Sequence, residues 1–192
     1  MAFNLNDFRN QFVNGGARPS QFEMQIIWPD AVRGAAGVAA AETSFRFLCS
    51  ISEIPGQKIT AIPVPYFGRK LKYAGDLSFS PLTVTVFNDE DFKIHKAIEI
   101  WMKAIQDHPT TRSVFDGGIT ASSYVTDGFV TQMSRNLGGS PTQAYAFRGM
   151  WPTDLSAIAL NWTSSDTVEE FQIQFEYQWW DQVDPTTGTV TA

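Results

Sequence analysis

Hydrophobic and polar residues alternate with a period of two along much of the chain. In the clearest run, 171–179, the apolar face carries Phe171, Ile173, Phe175, Tyr177 and Trp179, and glutamines and a glutamate occupy the other face. Segments 20–28, 44–51, 81–87 and 144–150 repeat the pattern. Such alternation is typical of half-buried antiparallel strands. Several of them, joined by Gly, Pro, Asn and Asp turns, predict a mainly β domain, either an antiparallel sandwich or a barrel.

One segment, 89–109, has helical periodicity instead. Its apolar residues recur at i, i+4, i+7 and i+11, and they are Ile94, Ile98, Trp101 and Ile105. Asn88 or Asp89 can cap the start of this helix, and Pro109 closes its end. We therefore expect one amphipathic helix that packs against the sheet.

Other segments lack either period. Residues 30–42 are rich in Ala and Gly and predict a flexible hairpin loop that looks inserted, whereas the polar residues 181–192 predict a flexible tail. Segments 108–124 and 135–143 are turn-rich connections. Because no repeat or change in composition divides the chain, we expect a single domain over residues 1–192.

Composition narrows the class of function. The chain has 192 residues, is 43% hydrophobic and carries a formal net charge of −6, which argues against a general nucleic-acid binder. Cys49 is the only cysteine, so it cannot form an intrachain disulfide, and we expect a small buried apolar group. No secretory signal is evident, and no stretch approaches the roughly 20 apolar residues that span a bilayer, so no membrane insertion is expected.

Catalytic and metal-binding patterns are missing from the sequence. His95 and His108 lack the spacing and the partners of a metal site, and neither phosphate-binding glycine motifs nor a nucleophile elbow occurs. The acidic run 88–91 could hold a hard cation, but helix capping explains the same residues without a ligand. We expect neither enzyme activity nor a cofactor.

The apolar surface is more informative than the chemistry. Six Trp and fifteen Phe residues exceed what one small core comfortably hides, and aromatic residues are enriched at protein interfaces. A proline-rich segment followed by basic residues looks like an exposed loop, and it carries Pro55, Pro63, Pro65, Tyr66, Phe67, Arg69, Lys70 and Lys72. Two interpretations stay open at this point: the loop packs over its own barrel, or it docks on another copy of the chain.

The same segment carries a resemblance to a known family. Residues 62–91, IPVPYFGRKLKYAGDLSFSPLTVTVFNDED, resemble the central region of tail tube proteins of contractile-tailed, myovirus-type bacteriophages. Segments 17–26 and 52–59 resemble the opening strand and loop of that family, and 148–162 and 167–180 resemble its G-x-W-P turn and closing strands. These motifs occur in the family's order and cover most of residues 17–180.

The resemblance implies a structural virion protein. In that family, six copies form a ring, and the rings stack into an inner tail tube through which DNA is ejected inside a contractile sheath. The partners implied are other copies of the chain together with sheath, baseplate or tube-initiator, tape-measure and tail-terminator proteins. The location implied is the virion tail, assembled in the cytoplasm of the host bacterium.

Two other functions fit the residues. One is a tube subunit of a phage-derived contractile injection or secretion system. The other is a monomeric β-sandwich that binds a ligand through exposed Trp151, Trp179 or Trp180.

A tube suggests roles for the polar faces of the strands. We expect Thr83, Thr85, Gln172, Gln174 and Glu176 to line the lumen or a contact between subunits. A basic lumen would retain DNA, because each Lys or Arg contact to a phosphate adds affinity. We therefore expect DNA to pass without specific binding, and Arg69, Lys70 and Lys72 to serve protein contacts.

Overall fold

The computed structural model describes residues 4–12, 16–35, 37–106, 123–134 and 140–190. The helices within these ranges are α1 (Leu5–Gln11), α2 (Asp30–Arg33), α3 (Val38–Leu48) and α4 (Lys93–Ile105). The strands are β1 (Phe22–Ile26), β2 (Cys49–Ile51), β3 (Gln57–Tyr66), β4 (Arg69–Phe79), β5 (Leu82–Phe87), β6 (Thr126–Met133), β7 (Pro141–Leu155), β8 (Glu170–Glu176) and β9 (Trp179–Val183). The expectation of a mainly β, antiparallel fold is confirmed.

Seven of these strands form one antiparallel main sheet. Its order is β1-β6-β7-β8-β5-β2, and β9 also pairs with β7. The two ends of this order come close together, since the Ser52 hydroxyl after β2 lies 3.5 Å from the Met24 sulfur in β1. The main sheet is therefore curled into a nearly closed barrel. Strands β3 and β4 form a second, two-stranded sheet of their own.

The long strand β7 turns a corner between two halves of the main sheet. Its first half pairs with β6 and β9, and its second half pairs with β8. Gly149 lies at the corner with φ +62°, and an added Cβ there would meet Cγ of Gln178 at 2.9 Å. Glycine is required at this position because it accepts both the left-handed backbone and the close approach.

Large apolar side chains fill the barrel beneath α3 and α4. Trp28 and Trp101 pack edge to face with ring centroids 5.7 Å apart, and the Trp101 indole N–H donates to the carbonyl of Tyr124 at 2.8 Å. The helix predicted around 89–109 is confirmed as α4, with Ile94, Ile98 and Trp101 fully buried and Ile105 partly buried. Its expected end at Pro109 lies outside the described residues.

The predicted cap of α4 is wrong. Phe92 occupies the cap position with φ +54°, and no side chain caps the helix there. Asp89 instead accepts a hydrogen bond from the Lys93 ammonium at 2.9 Å, and Asn88 donates to Glu169 at 2.9 Å. The acidic run binds a neighbouring lysine and an adjacent loop rather than the helix backbone.

The expectation of a single helix, with a loop at 30–42 and a strand at 44–51, is also wrong. Helices α2 and α3 occupy much of this region, because alanine is the strongest helix former. The glycines lie at the ends of the helices: Gly34 follows α2, and Gly37, with φ +91°, directly precedes α3. Val38, Ala41 and Phe45 form the buried helical stripe. The apparent strand alternation came from Phe47, which is 75% exposed.

The predicted strand 171–179 is two strands rather than one. The chain leaves β8 at Tyr177, whose hydroxyl donates to the carbonyl of Ser80, and resumes as β9 beside the first half of β7. Residues 181–183, expected in a flexible tail, lie in β9, and Val190 returns to pair with Val183. The strands expected at 20–28, 81–87 and 144–150 are confirmed as β1, β5 and β7.

Candidate assembly surface

The segment predicted as an apolar loop is a regular β-hairpin, formed by β3, β4 and the turn between them. We call residues 57–79 the β3–β4 hairpin. It pairs from Gln57↔Phe79 at its base to Tyr66↔Arg69 at its tip. At about 3.4 Å per residue this ribbon is roughly 30 Å long. The sequence does not predict this hairpin, because it contains prolines and prolines are rare in paired strands.

The prolines fit because β3 is paired on one side only. Pro63 lies opposite Lys72 and Pro65 opposite Lys70. A proline in a paired strand must direct its nitrogen away from the partner, since it has no N–H to donate. Two donors are therefore missing from the outer edge of β3, which weakens that edge as a template for strand addition. The faces of the ribbon, rather than its edge, are available for contacts.

The two faces of the tip half differ in chemistry. Register and pleat place three paired sets on one face, which we call the apolar face: Ile62 with Tyr73, Val64 with Leu71 and Tyr66 with Arg69. These apolar side chains are between 42% and 63% exposed. The opposite face presents Pro63 and Pro65 against Lys72 and Lys70. The hairpin thus has an apolar face and a basic face, and the rest of the chain covers neither.

The tip is a two-residue turn made by Phe67 and Gly68. Both residues have positive φ, +41° and +80°, which is the pattern of a type I′ turn. Asn-Gly is favoured in such turns, and a bulky residue with positive φ is an outlier. Phe67 is 92% exposed, and its ring packs edge to face on the adjacent Tyr66 ring with centroids 4.7 Å apart.

The hairpin also differs from the rest of the chain in charge. It contains four basic residues, Lys58, Arg69, Lys70 and Lys72, and one acidic residue, Asp76. The whole chain carries 14 basic and 20 acidic residues, so 10 basic and 19 acidic residues lie outside the hairpin. The ribbon is basic and the remainder is strongly acidic.

The predicted lumen residues lie side by side on the main sheet. Thr83 pairs with Gln174 and Thr85 pairs with Gln172 across β5 and β8, while Glu176 lies opposite Trp151. Gln172 is exposed, and Thr83, Gln174 and Glu176 are half-buried. Thr85 is only 5% exposed, so its expected contact with a lumen is wrong for the single subunit. Both strands are flanked on each side by others, so neither is a free edge of the main sheet.

The remaining candidate groups serve the fold. His95 packs edge to face on Phe171 at 5.3 Å and lies 3.7 Å from Glu99, while His108 lies outside the described residues. Cys49, expected to be a buried apolar group, is half-buried, and burial raises the pKa of its thiol to about 12. Within the ranges given above, no cluster of His, Cys, Asp and Glu could hold a metal ion. Among the same residues, no helix is long and apolar enough to cross a bilayer.

The three tryptophans considered for ligand binding do not form one exposed platform. Trp151 packs against Tyr124 and the core, and Trp180 packs edge to face on Tyr145 at 5.6 Å. Trp179 is half-exposed, and its indole N–H donates to Asp181 at 3.2 Å. The β3–β4 hairpin, in contrast, exposes three aromatic side chains, Tyr66, Phe67 and Tyr73.

Comparison with known proteins identifies the family. Residues 17–183 match the family model of the phage tail tube protein. The chain belongs to the phage tail tube protein family. Among curated relatives, tail tube protein gp19 of Enterobacteria phage T4 is 27% identical over 180 residues, which cover 92% of this chain and 99% of the T4 protein. The tail tube protein of Serratia phage KSP90 is 23% identical over 178 residues, covering 90% and 93%.

Solved structures share the fold. A chain in the cryo-EM structure of the anti-feeding prophage cap superposes with a TM-score of 0.60 at 12% identity, covering 88% of this tail tube chain and 92% of that one. As a member of this family the protein is a structural component of the virion tail rather than an enzyme. The expected family and the expected structural role as a phage tail tube subunit are confirmed.

Proposed function

We propose that six copies of this tail tube protein form a ring, and that rings stack through the β3–β4 hairpin into the inner tube of a contractile tail. The observation that carries the proposal is the hairpin itself. It projects as a separate two-stranded sheet whose apolar face has no cover from its own body. The interpretation in which this segment packs over its own barrel does not fit that exposure.

Energetics favour a contact with another copy. A lone two-stranded hairpin is marginally stable in water, and it gains stability when one face is packed. Obligate interfaces bury about 2,000–5,000 Å². At ~25 cal/mol per Å² of apolar area, the gross gain is tens of kcal/mol before association costs are subtracted. That gain suits a tube that must persist while a sheath contracts around it.

The lumen in this proposal is lined by the polar face of β5 and β8. Thr83, Gln172, Gln174 and Glu176 offer hydroxyl, amide and carboxylate groups and no cation. Such a surface leaves DNA mobile because it provides no phosphate contacts. The basic residues Arg69, Lys70 and Lys72 then lie in contacts between subunits. A structure of the assembled tube with these three side chains in the lumen would overturn this assignment.

The other partners follow from the same proposal. The outer wall contacts the sheath, and the two ends of the tube contact a baseplate or initiator protein and a tail terminator, with a tape-measure protein inside during assembly. Assembly takes place in the cytoplasm of the host bacterium, and DNA passes through without specific binding.

A double substitution tests the role of the hairpin. Tyr66→Ser with Phe67→Ser removes the aromatic tip and leaves the buried core untouched, so we expect a folded subunit that no longer forms tubes. Size-exclusion chromatography and negative-stain microscopy give the readout. The matched control is Leu160→Ser with Trp162→Ser, which removes two exposed apolar side chains, 82% and 100% exposed, from a loop outside the hairpin. Normal tubes from the tip variant, or loss of tubes from the control alone, would contradict the proposal.

A further inference from the structure

An open, largely apolar cleft lies at the base of the β3–β4 hairpin. It has a volume of about 390 Å³ and is bounded by Phe22 of β1, Val130 and Gln132 of β6, Tyr145 of β7, and Glu53 and Ile54 from the segment before β3. A cavity of about 150 Å³ accommodates a benzene ring. The volume of this cleft is therefore sufficient for two aromatic rings.

The tip of the same chain's hairpin cannot fill this cleft. Ile54 lies three residues before the base of the hairpin, whereas Phe67 lies at the far end of a continuous ribbon about 30 Å long. The ladder is paired along its length with one irregularity near Ile59 and Ala61, so it does not fold back on itself. The Tyr66–Phe67 tip can therefore reach such a cleft only on a second copy.

The tip carries the matching group. Phe67 keeps a positive φ that asparagine or glycine would adopt at lower cost, and backbone strain of this kind is often associated with a functional side chain. The Tyr66 and Phe67 rings are already in edge-to-face contact, so they can enter an apolar cleft together. The turn thus presents two aromatic rings in a fixed arrangement.

Charge supports the same pairing. Arg69 and Lys70 directly follow the tip turn, and Glu53 lies at the cleft in a body that is acidic overall. The nearby arginines, Arg46 and Arg148, form ion pairs with other carboxylates and not with Glu53 in the described structure. Opposite charges steer docking and fix its register.

We propose that the cleft at residues 52–54 is the seat for the Tyr66–Phe67 tip of another copy in the adjacent ring. This proposal rests on the proposed stacking function and names the surface that receives the hairpin. The contact is heterologous, since the tip of one copy meets the base of the next, and such contacts propagate along an axis.

A mixing experiment tests the seat. Ile54→Glu places a charge in the cleft at a side chain that is 53% exposed, so the fold is retained, while Phe67→Ala removes the tip. We expect neither variant to stack alone. A mixture retains one working contact, between the tip of the Ile54→Glu chain and the cleft of the Phe67→Ala chain. It should give a species of twice the mass that either variant forms alone, without tubes, by analytical ultracentrifugation.

The outcomes separate the two proposals. Tubes from Ile54→Glu alone, with none from Phe67→Ala, would overturn the seat and leave the hairpin's role in stacking intact. Tubes from both variants would overturn the seat and the proposed function together. No doubled species in the mixture, when neither variant forms tubes, would also overturn the pairing of tip and seat.

A second variant guards against effects on folding. Phe67→Asn removes the ring and creates the Asn-Gly pair that type I′ turns favour. We expect the thermal midpoint of the unassembled subunit to stay the same or rise while stacking is lost. If this variant formed tubes as readily as the parent chain, Phe67 would not be the docking group.

Discussion

The main sheet and the β3–β4 hairpin are built from similar residues but use them in opposite ways. In the main sheet, Val84 and Ile173 face each other on adjacent strands and are completely buried under the helices. In the hairpin, Val64 and Leu71 pair in the same manner and remain 42% and 49% exposed. The difference is a covering layer, which the main sheet obtains from its own chain and the hairpin does not.

This difference separates folding from assembly. A sheet that buries one face contributes to the free energy of unfolding of the subunit, whereas an uncovered ribbon contributes little until a partner arrives. Substitutions in the two regions should therefore affect different measurements.

The largest effect is expected at the centre of the body. Trp101→Ala should lower the free energy of unfolding by about 3–5 kcal/mol, because it creates a cavity and also leaves the Tyr124 carbonyl without its donor. Urea denaturation measures the loss. The control is Trp162→Ala, the same change at a side chain that is 100% exposed, for which we expect a change within ±0.5 kcal/mol. Similar losses at both sites would show that Trp101 is not a core residue.

A smaller effect is expected at the corner of β7. Gly149→Ala should lower the free energy of unfolding by about 1–3 kcal/mol, since alanine at φ +62° is strained and its Cβ would crowd Gln178. Gly188→Ala is the matched control, because Gly188 has φ +68° but nothing within 4 Å of an added Cβ. The difference between the two variants reports the crowding alone. Equal unfolding free energies would mean that Gln178 moves aside freely.

In the hairpin, the effect on folding should be smaller still. Tyr73→Ala removes a ring that is 59% exposed on the apolar face, so the free energy of unfolding of the unassembled subunit should change by less than about 0.5 kcal/mol. The critical concentration for tube formation, measured by light scattering, should rise. A loss of subunit stability comparable to that of Trp101→Ala would remove the distinction between the two regions.

The smallest effect is expected from surface charge near α4. The hydrogen bond from Lys93 holds the pKa of Asp89 below its ordinary value of 3.8, and hydrogen bonds from the backbone of Thr186 and Thr187 lower that of Asp184. Because these folded-state values are depressed, the stabilisation is present above about pH 3.8 and is lost as the pH falls through the lowered values. Asp89→Asn should therefore flatten the acid limb of a stability–pH curve.

Salt distinguishes these two carboxylates. The Asp89–Lys93 ion pair is partly exposed and should weaken as ions screen it, whereas the short-range hydrogen bonds to Asp184 should be less affected. If added salt leaves the difference between Asp89→Asn and the parent chain unchanged, the ion pair makes no contribution.

The sequence pattern predicts the main sheet and α4 better than it predicts the β3–β4 hairpin. The periods of β5, β8 and α4 are visible because each element buries one face, so burial imposes the pattern. The prediction for residues 38–48 is wrong because Phe45 and Phe47 alternate with polar residues as in a strand, although only Phe45 is buried. The hairpin is hard to recognise in the sequence because prolines interrupt β3 and because its apolar side chains stay exposed, so burial imposes no contrast between its two faces. The candidate surface is nevertheless visible in the sequence, because aromatic, proline and basic residues are concentrated in this segment; its role in assembly stays a prediction.

The proposed contact would give a stack a direction, because the tip and the cleft lie at opposite ends of the β3–β4 hairpin. At one end of the proposed tube every subunit would offer an unused Phe67, and at the other end every subunit would offer an empty cleft, so the two ends would present different chemistry. A protein that stops growth at one end cannot recognise the other end by the same surface. The polarity of the whole filament would then come from the tight turn at Phe67 and Gly68 and from about 30 Å of paired backbone that separates this turn from the cleft.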